Sequence, residues 1–256
     1  MKRCPMLVKE TKELCKNYKI LIMPLIFTLL ALMQPITIKM LPNLLKNSGD
    51  LPKGTVIQIA DPLVSDVLSG LLGQFAQLGI IVIILMVMGT IAGERSLDIT
   101  AMVLVKPIGR AKYYFAKIFT YSVLVIFSTY IALVVSAYYT EIIFGEISWA
   151  HILLGTTVYL PNLLLVIAVV IFFSSFFKSQ MAVAGAAFIS YILFSTIPQY
   201  LGEFINSISP NKLSVCASNI LVGGNNVEFL KPVLGVMGLS IILVLCGWFI
   251  FRKQEI

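Results

Sequence analysis

The chain has 256 residues, of which 59% are hydrophobic and only 12% charged, with a mean hydropathy of +0.96. A soluble domain carries about 25% charged residues, so this composition excludes a water-soluble globule and describes an integral membrane protein. The net charge of +7 does not point to nucleic acid, because the basic residues flank apolar runs, and the four cysteines show neither metal spacing nor a disulfide framework.

The first segment, residues 5–19, has Leu7, Val8, Thr11, Leu14, Cys15 and Tyr18 at helical spacing on one face. Lys9, Lys12, Glu13, Lys16 and Lys19 populate the rest. This pattern predicts an amphipathic helix lying in the membrane interface, its lysines toward anionic headgroups. Six apolar runs follow: 20–38, 71–92, 118–139, 152–173, 181–197 and 233–251. About 20 such residues cross the hydrocarbon core. The first run has Pro35, Lys39 and Pro42 after it in place of a small-residue cleavage site, so it reads as a retained span. Residues 39–70 carry Pro42, Gly49, Pro52 and Pro62 and read as a loop.

Between the second and third runs lies a polar island, residues 93–117. It holds Arg95, Lys106, Arg110, Lys112 and Lys117, with Glu94 and Asp98. Residues 94–105 contain neither Pro nor Gly and predict a short helix; Pro107 and Gly109 then turn the chain. Taken alone, such an island is a solvated loop. Between the fifth and sixth runs, residues 199–231 hold two weak stripes. Leu201, Phe204, Ile205 and Ile208 form the first; Leu213, Cys216, Ile220 and Leu221 form the second. They predict one or two short helices dipping into the outer leaflet, closed by Gly223 and Gly224. Lys and Arg divide 14 to 5 between the two sides, which predicts cytoplasmic termini and a cytoplasmic island. The whole chain, 1–256, reads as one all-α membrane domain.

The chemistry available is limited. None of the six runs contains Asp, Glu, Lys, Arg or His, so no ion-coupling group is expected within the bilayer. The single histidine, His151, stands at a run's end, and no metal cluster or GxxxxGK[ST] phosphate loop is present. Uncharged polar residues in the spans, Thr28, Gln34, Gln74, Gln77 and Ser190 among them, can line a path or hydrogen-bond between helices. Ala182 and Ala186 give the fifth run a face for close helix contact.

The order of parts is an amphipathic helix, two spans, a cytoplasmic helix-turn, four more spans, and a partly helical outer loop before the last of them. It resembles the permease subunits of ABC transporters of the type-2 exporter-like family. Glu94, Val103, Leu104, Pro107, Gly109 and Arg110 match the family's pattern after the second span, and Lys117 matches a common downstream lysine; Asp98 and Ile99 stand where the family has Gly-Thr. The resemblance implies a non-enzymatic transport subunit with no cofactor of its own, working beside a separate ATPase that binds ATP and magnesium. It also implies a second permease copy, identical or related, in the lipid bilayer of the cell membrane. Nucleic acid is not an expected partner. Residues 94–105 would be the coupling helix, with Leu97, Met102 and Leu104 as apolar anchors. Glu94, Arg95 and Asp98 would form its rim, and Pro107 and Arg110 its exit. The substrate would be a peptide, lipid or other amphiphile, moved outward. The alternatives are a non-transporting accessory or sensor protein and, further off, an intramembrane hydrolase, for which the spans offer no paired carboxylates.

Overall fold

The computed structural model describes residues 5–47, 63–96, 109–224 and 227–253. Among them the regular structure is helical: α1 (Pro5–Lys16), α2 (Lys19–Asn47), α3 (Val64–Gln74), a π-helical turn (Phe75–Gly79), α4 (Ile80–Val87), α5 (Ala92–Ser96) and α6 (Arg110–Phe144). There follow α7 (Trp149–Phe176), α8 (Gln180–Thr196) with a 3-10 turn (Ile197–Tyr200), α9 (Glu203–Ser207), α10 (Pro210–Leu221) and α11 (Leu230–Lys253). Six stretches of the described residues are long and apolar enough to cross a membrane: Lys19–Leu41, Val64–Ser96, Arg110–Phe144, Trp149–Phe176, Gln180–Tyr200 and Leu230–Lys253.

The fourth span, α7, is the centre. Of its most apolar window 78% is buried, and α4, α6, α8, α10 and α11 all pack on it. Close approach is set by a glycine: a Cβ at Gly155 would lie 2.7 Å from Leu221 Cγ and 2.9 Å from the Ala217 carbonyl, so α10 can press against α7 only there. Polar contacts tie the helices of the bundle to one another. The Ser136 hydroxyl on α6 donates to the Ala31 carbonyl of α2 at 3.1 Å. The Tyr191 hydroxyl on α8 donates to Asn162 Oδ1 on α7 at 3.1 Å, and Asn162 Nδ2 donates to Ser214 Oγ on α10 at 3.3 Å. Such bonds tie helices together where lipid offers no alternative partner.

The structure departs from the sequence reading at several boundaries. The N-terminal helix ends at Lys16, not 19; Tyr18 takes φ +55 at the bend, and Lys19 opens α2. The expected loop 39–70 is helical at both its ends: α2 runs through Pro24, Pro35 and Pro42 to Asn47, and α3 starts at Val64. Prolines do not end a helix in hydrocarbon because leaving it would bare still more unpaired backbone groups. The second span is not one uniform helix. A π turn interrupts it at Phe75–Gly79, next to the stacked rings of Phe27 and Phe75, 5.4 Å apart, and a non-helical turn at residues 88–91 separates α4 from α5. Of the predicted coupling helix, Glu94–Ser96 belongs to α5; Leu97, Asp98, Met102, Leu104 and Pro107 lie outside the described residues.

Between the fifth and sixth spans two short helices do form. Ser209 caps α10, its hydroxyl accepting the Lys212 amide at 3.1 Å, with Pro210 in the first turn. The second expected stripe faces the core, with Leu213, Cys216, Ile220 and Leu221 all buried. The first does not: Leu201 and Phe204 are 59% and 80% exposed, and α9 is only five residues long. Gly223, at φ +91, ends α10 as a left-handed residue where a side chain would be strained.

Candidate functional site

Most of the basic residues collect at one end of the bundle, called the basic end below, where α1, α5 and the start of α6 meet. The helix α4 and the fourth and sixth spans all finish there, and each finish is met by a cation. Lys19 Nζ donates to the Met86 carbonyl near the end of α4, at 2.8 Å, and to the Tyr121 hydroxyl at 3.1 Å. Arg95 Nη1 donates to the Ser175 carbonyl at the end of α7, at 3.2 Å. Arg110 Nη1 donates to the Arg252 carbonyl at the end of α11, at 2.9 Å. The last carbonyls of a helix lack intrahelical partners and carry its negative pole, so a cation satisfies both the hydrogen bond and the dipole.

Inside this ring sits an ion-pair junction. Lys117, on the second turn of α6, is 1% exposed. Its ammonium lies 3.0 Å from Glu94 Oε1 of α5, 3.1 Å from Glu10 Oε2 of α1 and 5.0 Å from the centre of the Tyr113 ring. Lys9 of α1 reaches the same Glu94 oxygen at 3.0 Å, Glu13 at 3.3 Å and Glu10 Oε1 at 3.5 Å. The other oxygen of Glu94 accepts the Tyr113 hydroxyl. Three segments far apart in the chain are thus held by two lysines and three carboxylates. Glu10, Glu13 and Glu94 bring carboxylate oxygens within 4.8 Å of one another, but the ammonium groups of Lys9 and Lys117 stand against those oxygens, so the arrangement is an ion-pair network and not a cation cage.

The charges are unequally held. Burial pushes the Glu10 carboxyl above its ordinary value, and the neighbouring Lys117 and Lys9 only partly offset this. Burial alone would lower Lys9; the hydrogen bond to Glu94 and the charges of Glu94, Glu10 and Glu13 outweigh it and hold Lys9 above its ordinary value. A buried network of this kind is a weak source of net stability but is strongly damaged by removing one member, which leaves a charge uncompensated. It fixes α1, α5 and α6 in one relative position.

The residues singled out from sequence are distributed as follows. Glu94 is 6% exposed and lies inside the junction, not on an exposed rim, because Lys117, Lys9 and Tyr113 all converge on it. Arg95 is half-buried against α7, and Arg110 is tied to α11. The polar residues of the spans do not share one seam. Gln34 of α2 packs over Gly70 of α3, where a Cβ would sit 1.8 Å from Gln34 Nε2. Gln74 is one turn further along α3, and its buried Oε1 has no hydrogen-bond partner among the described residues. Gln77 is exposed in the π turn, Thr28 lies in an apolar hollow toward α6, and Ser190 is half-buried on α8.

Three members of the junction were not read as a site from sequence: Lys117 entered only as a cation of the polar island and a motif match, and Glu10 and Tyr113 not at all. A signal for Glu10 exists: it stands four residues from both Met6 and Leu14, and these three are the buried positions of α1, 3%, 2% and 5% exposed. A carboxylate on the buried stripe of a short helix demands a cation opposite it. The stripe chosen from sequence was therefore rotated: Val8, Thr11, Cys15 and Tyr18 are exposed, and only Leu14 of that set is buried.

No protein-family model matches the chain. A relative from Bacillus subtilis (strain 168), the uncharacterized transmembrane protein YxlG, is 26% identical over 254 residues, covering 98% of this chain and 97% of that one. Six long apolar helices, with a likeness to a transmembrane protein over nearly the full length of both chains, make this a multi-pass membrane protein.

Proposed function

We propose that the chain is the membrane-spanning permease subunit of an ATP-binding cassette transporter, working with a separate ATPase that binds ATP and magnesium. The observation that carries this reading is the junction of Lys117 with Glu94 and Glu10. Residues 97–108, which carry the motif that resembles coupling helices, connect α5 directly to α6. A partner that pulls on that connector acts at once on Glu94 at one end and on α6, with Lys117, at the other. Through Glu10 the displacement also reaches α1. In this reading both termini and the basic end are cytoplasmic, α1 lies in the interface, and α9 and α10 lie at the outer leaflet.

A second permease copy, identical or related, completes the unit. In one chain only 28% and 17% of the most apolar windows of the first and fifth spans are buried, and those two spans carry the prolines and small residues that permit close contact. Gln34, Gln74, Gln77 and Ser190 then line a path only when two copies meet, since one chain keeps them on separate seams; Thr28, in its apolar hollow toward α6, stands apart from that path. The cargo is an uncharged or amphiphilic compound, exported, because the spans hold no ionisable group near their middles.

The test is copurification of an ATPase and stimulation of its hydrolysis. Leu104→Asp should cost about 2 kcal/mol or more of binding if the residue fills a pocket, leaving membrane insertion intact, whereas Asn225→Asp should change nothing. The proposal fails if Leu97→Asp, Met102→Asp and Leu104→Asp all leave both readouts at the level of the unmodified chain.

A further inference from the structure

Beneath α1 the surface is not flat. Three apolar hollows of about 370, 430 and 600 Å³ follow one another along α6, between α1 and α2, and adjoining hollows share lining residues, Phe119 at the first junction and Phe127 at the second. Together they form a furrow. Lys112 lines its mouth at the basic end, Leu7 of α1 roofs it, and Ile131 lies at its far end. At the helical rise, Lys112 to Ile131 spans about 28 Å. One leaflet's hydrocarbon is about 15 Å deep, so the furrow leads from the interface past the depth of one leaflet.

We propose that this furrow holds one acyl chain of a resident anionic phospholipid from the leaflet at the basic end, with its headgroup at Lys112. Four observations carry the assignment. The walls are almost wholly carbon, and the Thr11 and Thr120 hydroxyls are turned back to their own helix, onto the Leu7 and Ala116 carbonyls at 3.0 and 2.8 Å. Their protons are thus already taken, and Thr28 on the third hollow is the other hydroxyl along the lining. Large apolar side chains stay open there, with Phe119, Val123 and Phe127 48–59% exposed. Lys112 falls on the same face of α6 as Phe119 and Val123, at seven and eleven residues. Lastly, Lys9, Lys19, Lys117, Arg95 and Arg110 are engaged by protein acceptors at the basic end, and of the exposed cations there, Lys12, Lys16, Lys112, Lys178, Arg252 and Lys253, it is Lys112 that lines the furrow's mouth. A cation at the headgroup level with a carbon-walled furrow below it matches an anionic lipid. The bound lipid would wedge between α1 and α6 and steady the elbow at Tyr18. This goes beyond the permease reading and does not depend on it, because the lipid is resident, not cargo.

The experiment uses the full chain in bicelles doped with a phosphatidylglycerol that carries a photoactivatable diazirine on its acyl chain, beside the matching phosphatidylcholine. Labelling should map to residues 119–127, with phosphatidylglycerol favoured about fivefold. Lys112→Gln should remove that preference while leaving residual labelling. Val123→Trp should fill the furrow and abolish labelling by both lipids, whereas Ile241→Trp on α11 should leave it unchanged. Lys112 is exposed, so its variant tests the headgroup without disturbing the fold. Equal labelling by the two lipids, or labelling indifferent to both Lys112→Gln and Val123→Trp, overturns the proposal. So does a direct cross-link between copies through Phe119→Cys, which would mean that a second chain covers the furrow.

Discussion

Replacing Lys117 by Met removes the charge that α1 and α5 share while keeping an unbranched side chain of similar length. Lys117 is 1% exposed and bonded to Glu10 and Glu94 at 3.1 and 3.0 Å. Its loss leaves two nearly buried carboxylates facing each other. Breaking a buried ion pair from one side costs about 3–5 kcal/mol. Lys9 and the Tyr113 hydroxyl still reach Glu94, so part of that cost is a carboxylate left with one cation where it had two, and adding Glu94→Gln to Lys117→Met should return about 0.5–3 kcal/mol as coupling between the two sites. Because α1 contributes its share of the junction through Glu10 and Lys9, the damage should show there first. Amide hydrogen exchange over residues 6–16, followed by mass spectrometry in bicelles, should accelerate by about two to three and a half orders of magnitude, at roughly 1.4 kcal/mol per tenfold. Exchange in the middle of α7 should remain near the unmodified rate. Acceleration below about threefold in α1, or strict additivity of the two substitutions, would refute the idea that the junction is what holds α1.

Glu10 gives a pH test whose sign is fixed. Its folded-state carboxyl is raised above the ordinary 4.5, chiefly by burial, so its contribution is fully present below 4.5 and is lost as pH rises through the folded value. It faces Lys9, Glu13, Glu94 and Lys117. Protection of α1 should therefore change less steeply with pH between neutrality and 4.5 in Glu10→Gln than in the unmodified chain; equal slopes would remove Glu10 as the titrating group. Gly155→Ala should cost about 1–3 kcal/mol, because its methyl group would meet Leu221 and the Ala217 carbonyl. Gly185→Ala on α8, with nothing within 4 Å, should be neutral or stabilise by about 0.5–1 kcal/mol; thermal unfolding of both in the same detergent decides. For orientation, Cys216 is a poor probe because it is buried, 5% exposed. An impermeant maleimide on intact cells should label Asn219→Cys and leave the exposed Cys15 untouched; the reverse would invert the topology.

The sequence by itself determined the number of spans and their approximate places. The length of an apolar run is a local quantity, and each of the six runs falls in a predominantly helical stretch long enough to cross, the second of them interrupted by a π turn and a non-helical turn. It determined the end of α10 at Gly223 for the same reason, since a helix stop depends on neighbours within a few residues. It misjudged Pro42, because α2 continues past the apolar span that ends at Leu41 to Asn47, and neither composition nor a single lost backbone hydrogen bond marks where that helix stops. It misjudged which face of α1 is buried, because Leu7, Val8 and Cys15 suit lipid as well as protein, and periodicity alone does not distinguish an apolar face turned to a neighbour from one turned to the bilayer. Only the tertiary structure decided the junction. Glu10 and Lys117 are 107 residues apart, and Lys9 and Glu94 85. Nothing local announces that these charges share one dry pocket, because the pocket exists only once α1, α5 and α6 have packed together, and packing is what removes the water that would otherwise hold them apart.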